Sequence, residues 1–305
     1  MTRPLVSVVT TSYDHAPYLE ETLRSVLEQD YPRIEYLVID DGSTDESPEI
    51  VRRWSDRFAW WSVQENEGQV RALNRAFSHA TGDLMGFVNS DDTLLPGAVS
   101  RLVAEFERDP ELLLAYGSAI WTDEASQPVG TLEAGEWDAA RLARTGLQPV
   151  PQPASLWSRR AWELAGPFNP RSWSLFDTEF YLRLAVAGRA ARIPQPPLAT
   201  FRLHAGSKSM SRFERMADEC VRFAEEFYGG PDYPAALRPY VRQGRASFYR
   251  RAALNCYAAG DLRRARRLVA RSLVLSPRGI DRKQASRLAR SFVPERMVRR
   301  RRERA

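Results

Sequence analysis

The stretch that decides the fold is residues 84–92, LMGFVNSDD, in which an apolar run ends on two adjacent acids. Turn-forming residues surround it, with Thr81-Gly82-Asp83 before the run and Pro96-Gly97 after it. A short apolar run bounded by turns is typical of a buried strand in a parallel sheet. The sequence therefore predicts a buried strand whose carboxyl end carries Asp91 and Asp92.

This acid pair has two interpretations. Two neighbouring carboxylates repel each other unless a cation lies close to them. Oxygen ligands suit Mg²⁺ or Mn²⁺, and these cations in turn suit a diphosphate. An Asp-Asp pair is also ordinary material for turns and helix caps, so the pair alone leaves both interpretations open.

Strand and helix patterns alternate through the first third of the chain. Strands are predicted at 5–10, 34–39 and 60–64, besides the run before Asp91, and helical periodicity separates them. This alternation predicts an α/β fold with a doubly wound, mostly parallel sheet. Beyond Ser211 the pattern is helical, and residues 249–275 have the form of a helix hairpin, so we expect an α-helical C-terminal extension.

Polar residues end four of the predicted strands, at 10–14, 40–41, 66–68 and 89–92. The carboxyl ends of parallel strands meet at one edge of a sheet, where open α/β folds bind ligands. The sequence has neither GxGxxG nor GxxxxGK[ST], so a Gly-rich phosphate loop is not expected. The sequence therefore favours binding of a diphosphate through a metal ion that is held by acidic side chains.

Composition bounds the class of protein. The chain has 305 residues, 43% of them hydrophobic and 27% charged, which is typical of a globular protein. Cys220 and Cys256 have no metal-like or CxxC spacing, the N-terminus has no signal-peptide pattern, and the apolar runs are shorter than a bilayer span. We therefore expect a soluble cytoplasmic protein.

Charge divides the chain sharply. Residues 238–305 carry 21 Lys/Arg and 4 Asp/Glu, a balance of +17, whereas residues 1–237 have a balance of −12. The arginine run at 299–302 is open to three interpretations: nucleic-acid binding, contact with an anionic membrane surface, or a solvated helix. No nucleic-acid motif accompanies the run, so no nucleic acid is expected as a partner.

Several segments resemble family 2 glycosyltransferases, which have the GT-A fold. Residues 8–14 (VVTTSYD), 37–45 (LVIDDGSTD), 66–74 and 89–92 (NSDD) resemble that family's nucleotide-sugar half. Residues 152–168 resemble the family's acceptor-side half. Residues 176–184 resemble its catalytic-base helix, and residues 202–209 resemble its closing loop. The resemblance runs from about Leu5 to Met210 and implies a GT-A type sheet. We accordingly expect a donor half at 1–118, an acceptor half at 119–212 and a basic helical region at 213–305.

On the donor side the resemblance implies contacts to the nucleotide sugar from Thr11, Tyr13, Asp40, Asp41, Arg71 and Asp91. Thr11 and Asp41, with Asp40, would hold the base, and Asp91 would touch the ribose. Asp92 and His204 are the implied ligands of Mn²⁺ or Mg²⁺, with Arg202 as a cationic neighbour of the diphosphate. A solvated or satisfied histidine is the alternative for His204.

The chain departs from the family's usual Asp-Ser-Asp-Asp, since Asn89 stands at the first position. A neutral amide adds no charge to a metal site, so metal ligation is not transferred to Asn89. The departure leaves the geometry of metal binding open.

On the acceptor side the resemblance implies that Asp177 is the general base of an inverting transfer. An aspartate at the start of an apolar helix is more often an N-cap, which is the alternative for Asp177. Glu179 is the other candidate base. Trp173 lies beside the same helix and could stack on a sugar, although most tryptophans of this half are expected in the core.

Together these features predict an inverting, metal-dependent transferase that moves a sugar from a UDP- or dTDP-sugar to a glycan or lipid-linked acceptor for cell-surface polysaccharide. Peripheral contact of the basic C-terminus with the inner face of the membrane would fit such an acceptor. A nucleotidyltransferase is the rival enzyme class, although residues 11–14 lack the basic Gly-rich loop expected there. A binding module whose catalysis has decayed is the rival without enzyme activity, supported by Asn89.

Overall fold

The computed structural model describes residues 3–206 and 212–277. The chain divides into two compact units. The first comprises the described residues of Met1–Asp138 and Gln148–His204, and the second comprises Ala139–Leu147 with the described residues of Ala205–Ala305. The expected separation of donor and acceptor halves at residue 118 stays a prediction.

The described strands and helices follow the alternation that the sequence predicts. The strands are β1 (Val6–Ser12), β2 (Ile34–Asp40), β3 (Trp60–Val63), β4 (Leu84–Phe87), β5 (Thr93–Leu94), β6 (Leu114–Gly117), β7 (Ala119–Thr122), β8 (Pro128–Leu132), β9 (Ser155–Ser158), β10 (Ala190–Ile193) and β11 (Ala199–Arg202). The α-helices are α1 (Ala16–Leu27), α2 (Ser47–Arg53), α3 (Gln69–His79), α4 (Ala98–Arg108), α5 (Ala139–Thr145), α6 (Arg159–Ala165), α7 (Phe176–Leu184), α8 (Phe213–Arg222), α9 (Val241–Ala259) and α10 (Leu262–Leu275).

The first unit is built on a mostly parallel sheet, as predicted. Its seven strands have the order β10-β6-β9-β4-β1-β2-β3, and β9 is the one antiparallel to its neighbours. The strand β1 pairs in parallel with β2, up to Ser12 against Asp40, and with β4 up to Val9 against Phe87. This register brings the polar residues that follow β1, β2 and β4 to one edge.

A second, four-stranded sheet has the order β5-β11-β7-β8. Its strand β11 is antiparallel to β5 and parallel to β7. Because β5 directly follows the acid pair and β11 ends two residues before His204, this sheet carries both segments of the predicted metal site.

An aromatic cluster supports helix α7. The Phe168 ring packs against its neighbours, with its centroid 5.0 Å from that of Phe176, 5.2 Å from that of Phe180 and 6.2 Å from that of Trp157. Aromatic pairs contribute about 0.5–1.5 kcal/mol each beyond their buried area. Asn74 on α3 fixes the same loop, donating Nδ2 to the Phe168 carbonyl at 2.7 Å and accepting from the Phe168 N–H at 3.0 Å. The start of α7 is therefore held on a rigid support.

The second unit is helical, and the predicted hairpin is present as α9 and α10. Gly260 ends α9 with φ +88°, and the Asp261 side chain caps α10 by accepting from the Arg264 N–H. Helix α5 is not among the elements that the sequence predicts. Contacts within the unit explain it, since Tyr228 donates its hydroxyl to the Ala143 carbonyl at 2.7 Å. Among the described residues, no helix is long and apolar enough to cross a membrane.

Candidate active site

Two histidines and one aspartate meet at the edge of the main sheet. Within the described residues, His15, Asp91 and His204 each offer a ligand atom, and these atoms lie within 4.8 Å of one another. His204 Nε2 is 3.0 Å from Asp91 Oδ2, and His15 Nδ1 is 4.0 Å from Asp91 Oδ1. The three residues follow β1, β4 and β11, so three separate strands build one cluster.

Each member of this cluster is held by its neighbours. The His15 ring is hydrogen-bonded through Nδ1 to Ser90 Oγ at 2.8 Å. The His15 carbonyl accepts from the Tyr18 N–H as α1 begins. The His204 ring packs on the Tyr18 ring, with 4.9 Å between the centroids. The cluster is therefore fixed by the first turn of α1 as well as by the strand ends.

The directions of the pKa shifts of His15 and Asp91 favour cation binding. Burial lowers the pKa of His15 below its ordinary value, although the charge of Asp91 opposes this. Burial also opposes ionisation of Asp91, yet the hydrogen bond from His204 and the charges of both histidines hold the pKa of its carboxyl below the ordinary value. A neutral imidazole and an ionised carboxylate are the forms that ligate metals.

The donor set fits a divalent cation. Imidazole nitrogens suit transition metals, and carboxylate oxygens suit Mg²⁺, Ca²⁺ and Mn²⁺, of which Mn²⁺ is the transition metal. An all-oxygen shell with several waters is what Mg²⁺ prefers. The residues present therefore fit Mn²⁺ better than Mg²⁺, and three protein ligands leave coordination positions for a diphosphate.

Asp92, which the sequence predicts as a metal ligand, is not part of this cluster. Its side chain is 1% exposed, Oδ1 accepts from the Arg202 N–H at 3.0 Å, and Oδ2 accepts from Asn89 Nδ2 at 3.2 Å. Burial raises the pKa of Asp92 well above its ordinary value, and the charge of Asp91 adds to the rise. The carboxylate that faces the histidines is that of Asp91, for which the sequence predicts a ribose contact.

Arg202 lies inside the protein rather than on the cleft surface. Its guanidinium donates to the Asp91 carbonyl at 2.9 Å, to Ser126 Oγ at 2.7 Å and to Glu21 Oε2 at 2.7 Å. It also lies 4.8 Å above the Tyr18 ring. Arg202 therefore stabilises the loop that carries the acid pair. The sequence instead predicts that Arg202 contacts the substrate.

Asn89 sits in a network of amides. Gln69 Nε2 donates to Asn89 Oδ1 at 2.7 Å, and Asn89 Nδ2 lies 3.2 Å from both Asp92 Oδ2 and Gln152 Oε1. Gln152 Nε2 in turn donates to the Phe87 carbonyl at 2.6 Å. A carboxylate at position 89 would present an acceptor to two acceptors, so this environment is built for an amide.

Asp41 organises the loop before α3. Its side chain is 2% exposed; Oδ1 accepts from Gln64 Nε2 at 2.7 Å and the Glu67 N–H at 3.0 Å, and Oδ2 accepts from the Gly68 N–H at 2.8 Å. Gly68 has φ +92°, a conformation that glycine adopts without strain. The loop at 64–68 is thereby fixed beside the end of β2.

The other residues predicted to contact the nucleotide sugar differ in their solvent exposure. Asp40 is fully buried and accepts from the Ser43 N–H at 3.0 Å and from Ser43 Oγ at 2.6 Å, and burial raises the pKa of its carboxyl. Thr11 is also buried, whereas Tyr13 is 47% exposed and Arg71 is exposed on α3. The sheet edge thus brings Thr11 and the two acids together, with Tyr13 and Arg71 on the surface.

Asp177 lies in the first turn of α7, and the N-cap position is Leu175. The N-cap interpretation of Asp177 is therefore wrong. Its Oδ1 accepts from the Thr178 N–H at 2.6 Å, and its Oδ2 accepts from Gln148 Nε2 at 3.0 Å. The carboxylate is half-buried at the start of the helix.

Glu179 has a different environment. It is 5% exposed, Oε2 accepts from Asn169 Nδ2 at 3.2 Å, and Oε1 lies 3.7 Å from Arg183 Nη2. These contacts direct Glu179 into the protein. Trp173 is half-buried in the loop before α7.

Sequence reasoning missed two residues of the site, His15 and Gln148. His15 directly follows the polar end of β1, and a histidine at a sheet edge that already holds acids was an available signal. Gln148 carries no such signal, because its contact with Asp177 joins residues 29 positions apart.

Comparison with known proteins places these features in context. The family model described as glycosyl transferase family 2 matches residues 7–137. An uncharacterized glycosyltransferase of Mycobacterium tuberculosis is 31% identical over 189 residues, which are 60% of this chain and 70% of the relative. Chondroitin synthase of Pasteurella multocida is 30% identical over 190 residues, 61% of this chain and 19% of the synthase. The chain thus matches about a fifth of the synthase's length.

Two solved structures have a similar fold. Mannosyltransferase PcManGT from Pyrobaculum calidifontis, in complex with GDP-Man and Mn²⁺, has a TM-score of 0.58 at 22% identity and covers 96% of this chain and 87% of its own. Residues 1–349 of S. aureus TarS in complex with UDP-GlcNAc have a TM-score of 0.56 at 18% identity, over 87% of this chain and 90% of theirs. These likenesses confirm the predicted GT-A type fold.

Proposed function

The chain belongs to glycosyltransferase family 2, and on this premise we propose that it is an inverting, metal-dependent enzyme that transfers a sugar from a UDP- or dTDP-sugar to a glycan or lipid-linked acceptor. Relatives named as a chondroitin synthase and a putative teichuronic acid biosynthesis glycosyltransferase support a role in polysaccharide synthesis. The neighbours solved with UDP-GlcNAc and with GDP-Man and Mn²⁺ support a nucleotide-sugar donor and a divalent cation.

The cluster of His15, Asp91 and His204 is the observation that carries the proposal. Two imidazoles and one ionised carboxylate converge within 4.8 Å, a donor set that fits Mn²⁺. We assign the cation to these three residues, so that Asp91 replaces Asp92 as the acidic ligand. A cation bound there would neutralise the charge that develops on the leaving diphosphate.

Asp177 is the proposed general base. It takes the proton from the acceptor hydroxyl while that oxygen bonds to the anomeric carbon and the bond from this carbon to the diphosphate oxygen breaks. The nucleoside diphosphate leaves with the electron pair of that bond. Glu179 is the weaker candidate, since its carboxylate contacts Asn169 and Arg183.

The donor's base is assigned to the edge formed by Thr11 and Asp41. Asp41 Oδ2 accepts one backbone N–H, from Gly68, and a carboxylate oxygen has room for a second donor such as an imide N–H of uracil or thymine. Asp40 supports the loop through Ser43. Tyr13 and Arg71, which are exposed, are proposed to close over the nucleotide.

Product analysis tests the proposal. Purified protein is incubated with Mn²⁺ and, in turn, UDP-glucose, UDP-GlcNAc, dTDP-glucose and GDP-mannose, and the released nucleotide is identified. Release of UDP or dTDP supports the transferase. Formation of nucleoside triphosphate and sugar 1-phosphate when pyrophosphate is added would indicate a nucleotidyltransferase. Thermal stabilisation without any turnover would indicate a binding module.

A further inference from the structure

A side-chain amide outside the predicted site contacts the proposed base. Gln148 Nε2 lies 3.0 Å from Asp177 Oδ2, and Thr178 Oγ1 lies 3.2 Å from Gln148 Oε1. From this closed arrangement we infer that Gln148 is a positioning residue, which fixes the orientation of the Asp177 carboxylate for transfer. The inference rests on the proposed function, in which Asp177 is the base.

Hydrogen-bonding capacity sets the orientation of the Gln148 amide. An ionised carboxylate only accepts hydrogen bonds, so the amide must turn Nε2 toward Asp177. Its Oε1 then needs a donor, and the Thr178 hydroxyl supplies one. That hydroxyl also lies 3.3 Å from Asp177 Oδ1. Both the Nε2 and the Oε1 atom of Gln148 are therefore hydrogen-bonded to two consecutive residues of α7.

The same contacts hold both oxygens of the base. Asp177 Oδ1 accepts from the Thr178 N–H at 2.6 Å, and Oδ2 accepts from Gln148 Nε2. With each oxygen held, rotation of the carboxylate about its bond to Cβ would break one contact or the other.

The backbone that carries Gln148 is stiff. Proline fixes φ at positions 149, 151 and 153, of which the first directly follows Gln148. The Pro149 carbonyl accepts from the Gly135 N–H at 2.8 Å, and Val150 is 2% exposed. Gln148 and Asp177 thus sit on separately anchored segments, the condition under which a supporting contact holds a catalytic group to the required precision.

A role in orientation predicts an effect on turnover rather than on donor binding. Gln148→Ala removes the donor to Oδ2, and Gln148→Glu keeps the shape while replacing that donor with a like charge. Misplacement of a reacting group by about 1 Å can cost about 10²-fold in rate. We expect kcat to fall by about 10–100-fold in both variants, with the KM for the nucleotide sugar unchanged. Gln243→Ala, at an exposed glutamine of α9, is the matched control and should keep the wild-type kcat.

Substitutions at Thr178 test the second half of the arrangement. Thr178→Ser keeps the hydroxyl that donates to Gln148 Oε1, whereas Thr178→Val keeps the shape without it. We expect the serine variant to retain wild-type kcat and the valine variant to lose several-fold. If Gln148→Ala does not fold, the comparison of Thr178→Ser with Thr178→Val still tests the positioning role, because neither substitution changes the side-chain volume greatly.

The experiment measures release of nucleoside diphosphate by the full chain, with Mn²⁺ and the fastest of the four donors named above. Wild-type kcat in Gln148→Ala and Gln148→Glu, or in Thr178→Val where these do not fold, overturns the inference. A loss confined to KM also overturns it. If Asp177→Asn abolishes release while the Gln148 variants do not, the positioning role alone fails. If Asp177→Asn is fully active, or wild type releases nothing from any donor, the proposed function fails and the inference falls with it.

Discussion

His204 Nε2 lies 3.0 Å from Asp91 Oδ2, although 113 residues separate the two along the chain. The contact joins a histidine two residues beyond β11 to an acid in the loop after β4, and it makes a carboxylate–imidazole pair at the sheet edge. With His15 on the other side of Asp91, it defines the proposed cation site.

Replacing His15 should weaken binding of the cation without unfolding the protein. Loss of even an outer-shell partner typically lowers metal affinity by about 10–100-fold, and loss of a ligand should cost at least as much. Titration of Mn²⁺ into wild type and His15→Ala, followed by calorimetry, measures the change. His79→Ala is the matched control, since His79 is an exposed residue stacked on Trp60. Equal Mn²⁺ affinity in His15→Ala and wild type would remove His15 from the site.

Asp177→Asn should keep donor binding and lose transfer, because an amide cannot take the proton of the acceptor hydroxyl. General-base catalysis typically supplies 10²–10⁴-fold, so a loss of about that size in kcat is expected. Glu179→Gln is the comparison variant and should keep kcat within a few-fold. A large loss in Glu179→Gln with little loss in Asp177→Asn would transfer the base role to Glu179.

Asn89→Asp should destabilise the protein rather than strengthen the metal site. The new carboxylate would face Asp92 Oδ2 and Gln152 Oε1, both acceptors, in a buried network. Leaving buried polar groups unsatisfied costs about 1–3 kcal/mol. Urea unfolding of Asn89→Asp and wild type measures this difference. A variant as stable as wild type, with higher Mn²⁺ affinity, would show that the amide network is dispensable.

Glu35 should give the fold a pH-dependent contribution. Burial raises the pKa of Glu35, but hydrogen bonds from Ser7 and Thr81 outweigh it and hold the pKa below the ordinary 4.5. The folded-state pKa is thus depressed, so the contribution is present above pH 4.5 and is lost as pH falls through the folded value. Urea midpoints of wild type and Glu35→Gln should differ at pH 7 and converge in acid. A difference that is constant with pH would contradict the assignment.

The basic C-terminal region should bind anionic membrane surfaces. Residues 238–305 have a charge balance of +17, and within the described part Arg263 and Arg267 are exposed on α10 together with Val274. Attraction of this kind is screened over about 8 Å at physiological salt, so binding should weaken as salt rises. Co-sedimentation with vesicles containing phosphatidylserine compares the full chain with a chain ending at Pro277. The arginine run at 299–302, which motivates this prediction, lies outside the described residues. Equal sedimentation of the two chains at low salt would contradict membrane binding by the C-terminal region.

The alternation of strands and helices could be predicted from the sequence because it depends on local periodicity. The apolar run at 84–88 and the helical spacing of Leu19 and Leu23 each reflect burial of one element against the sheet. Helix α5 escaped prediction because its stability comes from distant contacts such as that between Tyr228 and Ala143.

The candidate site was predictable only in part. Which strand ends carry polar residues can be read from the chain, but which of two adjacent acids turns toward the histidines depends on local backbone geometry. Asp92 and Asp91 alternate in direction, and pairing with the Arg202 N–H directs Asp92 inward. Contacts between side chains far apart in sequence, such as that of Gln148 with Asp177, leave no local pattern.

The most direct test of the central claim is the Mn²⁺-dependent affinity for nucleoside diphosphate in Asp91→Asn and Asp92→Asn. Isothermal titration of UDP into each variant, with and without saturating Mn²⁺, measures the gain that the cation gives. The cluster of Asp91 with two histidines predicts that Asp91→Asn loses this gain while a folded Asp92→Asn keeps it. Loss of the gain in Asp92→Asn with a wild-type gain in Asp91→Asn would contradict the assignment and return the cation to Asp92.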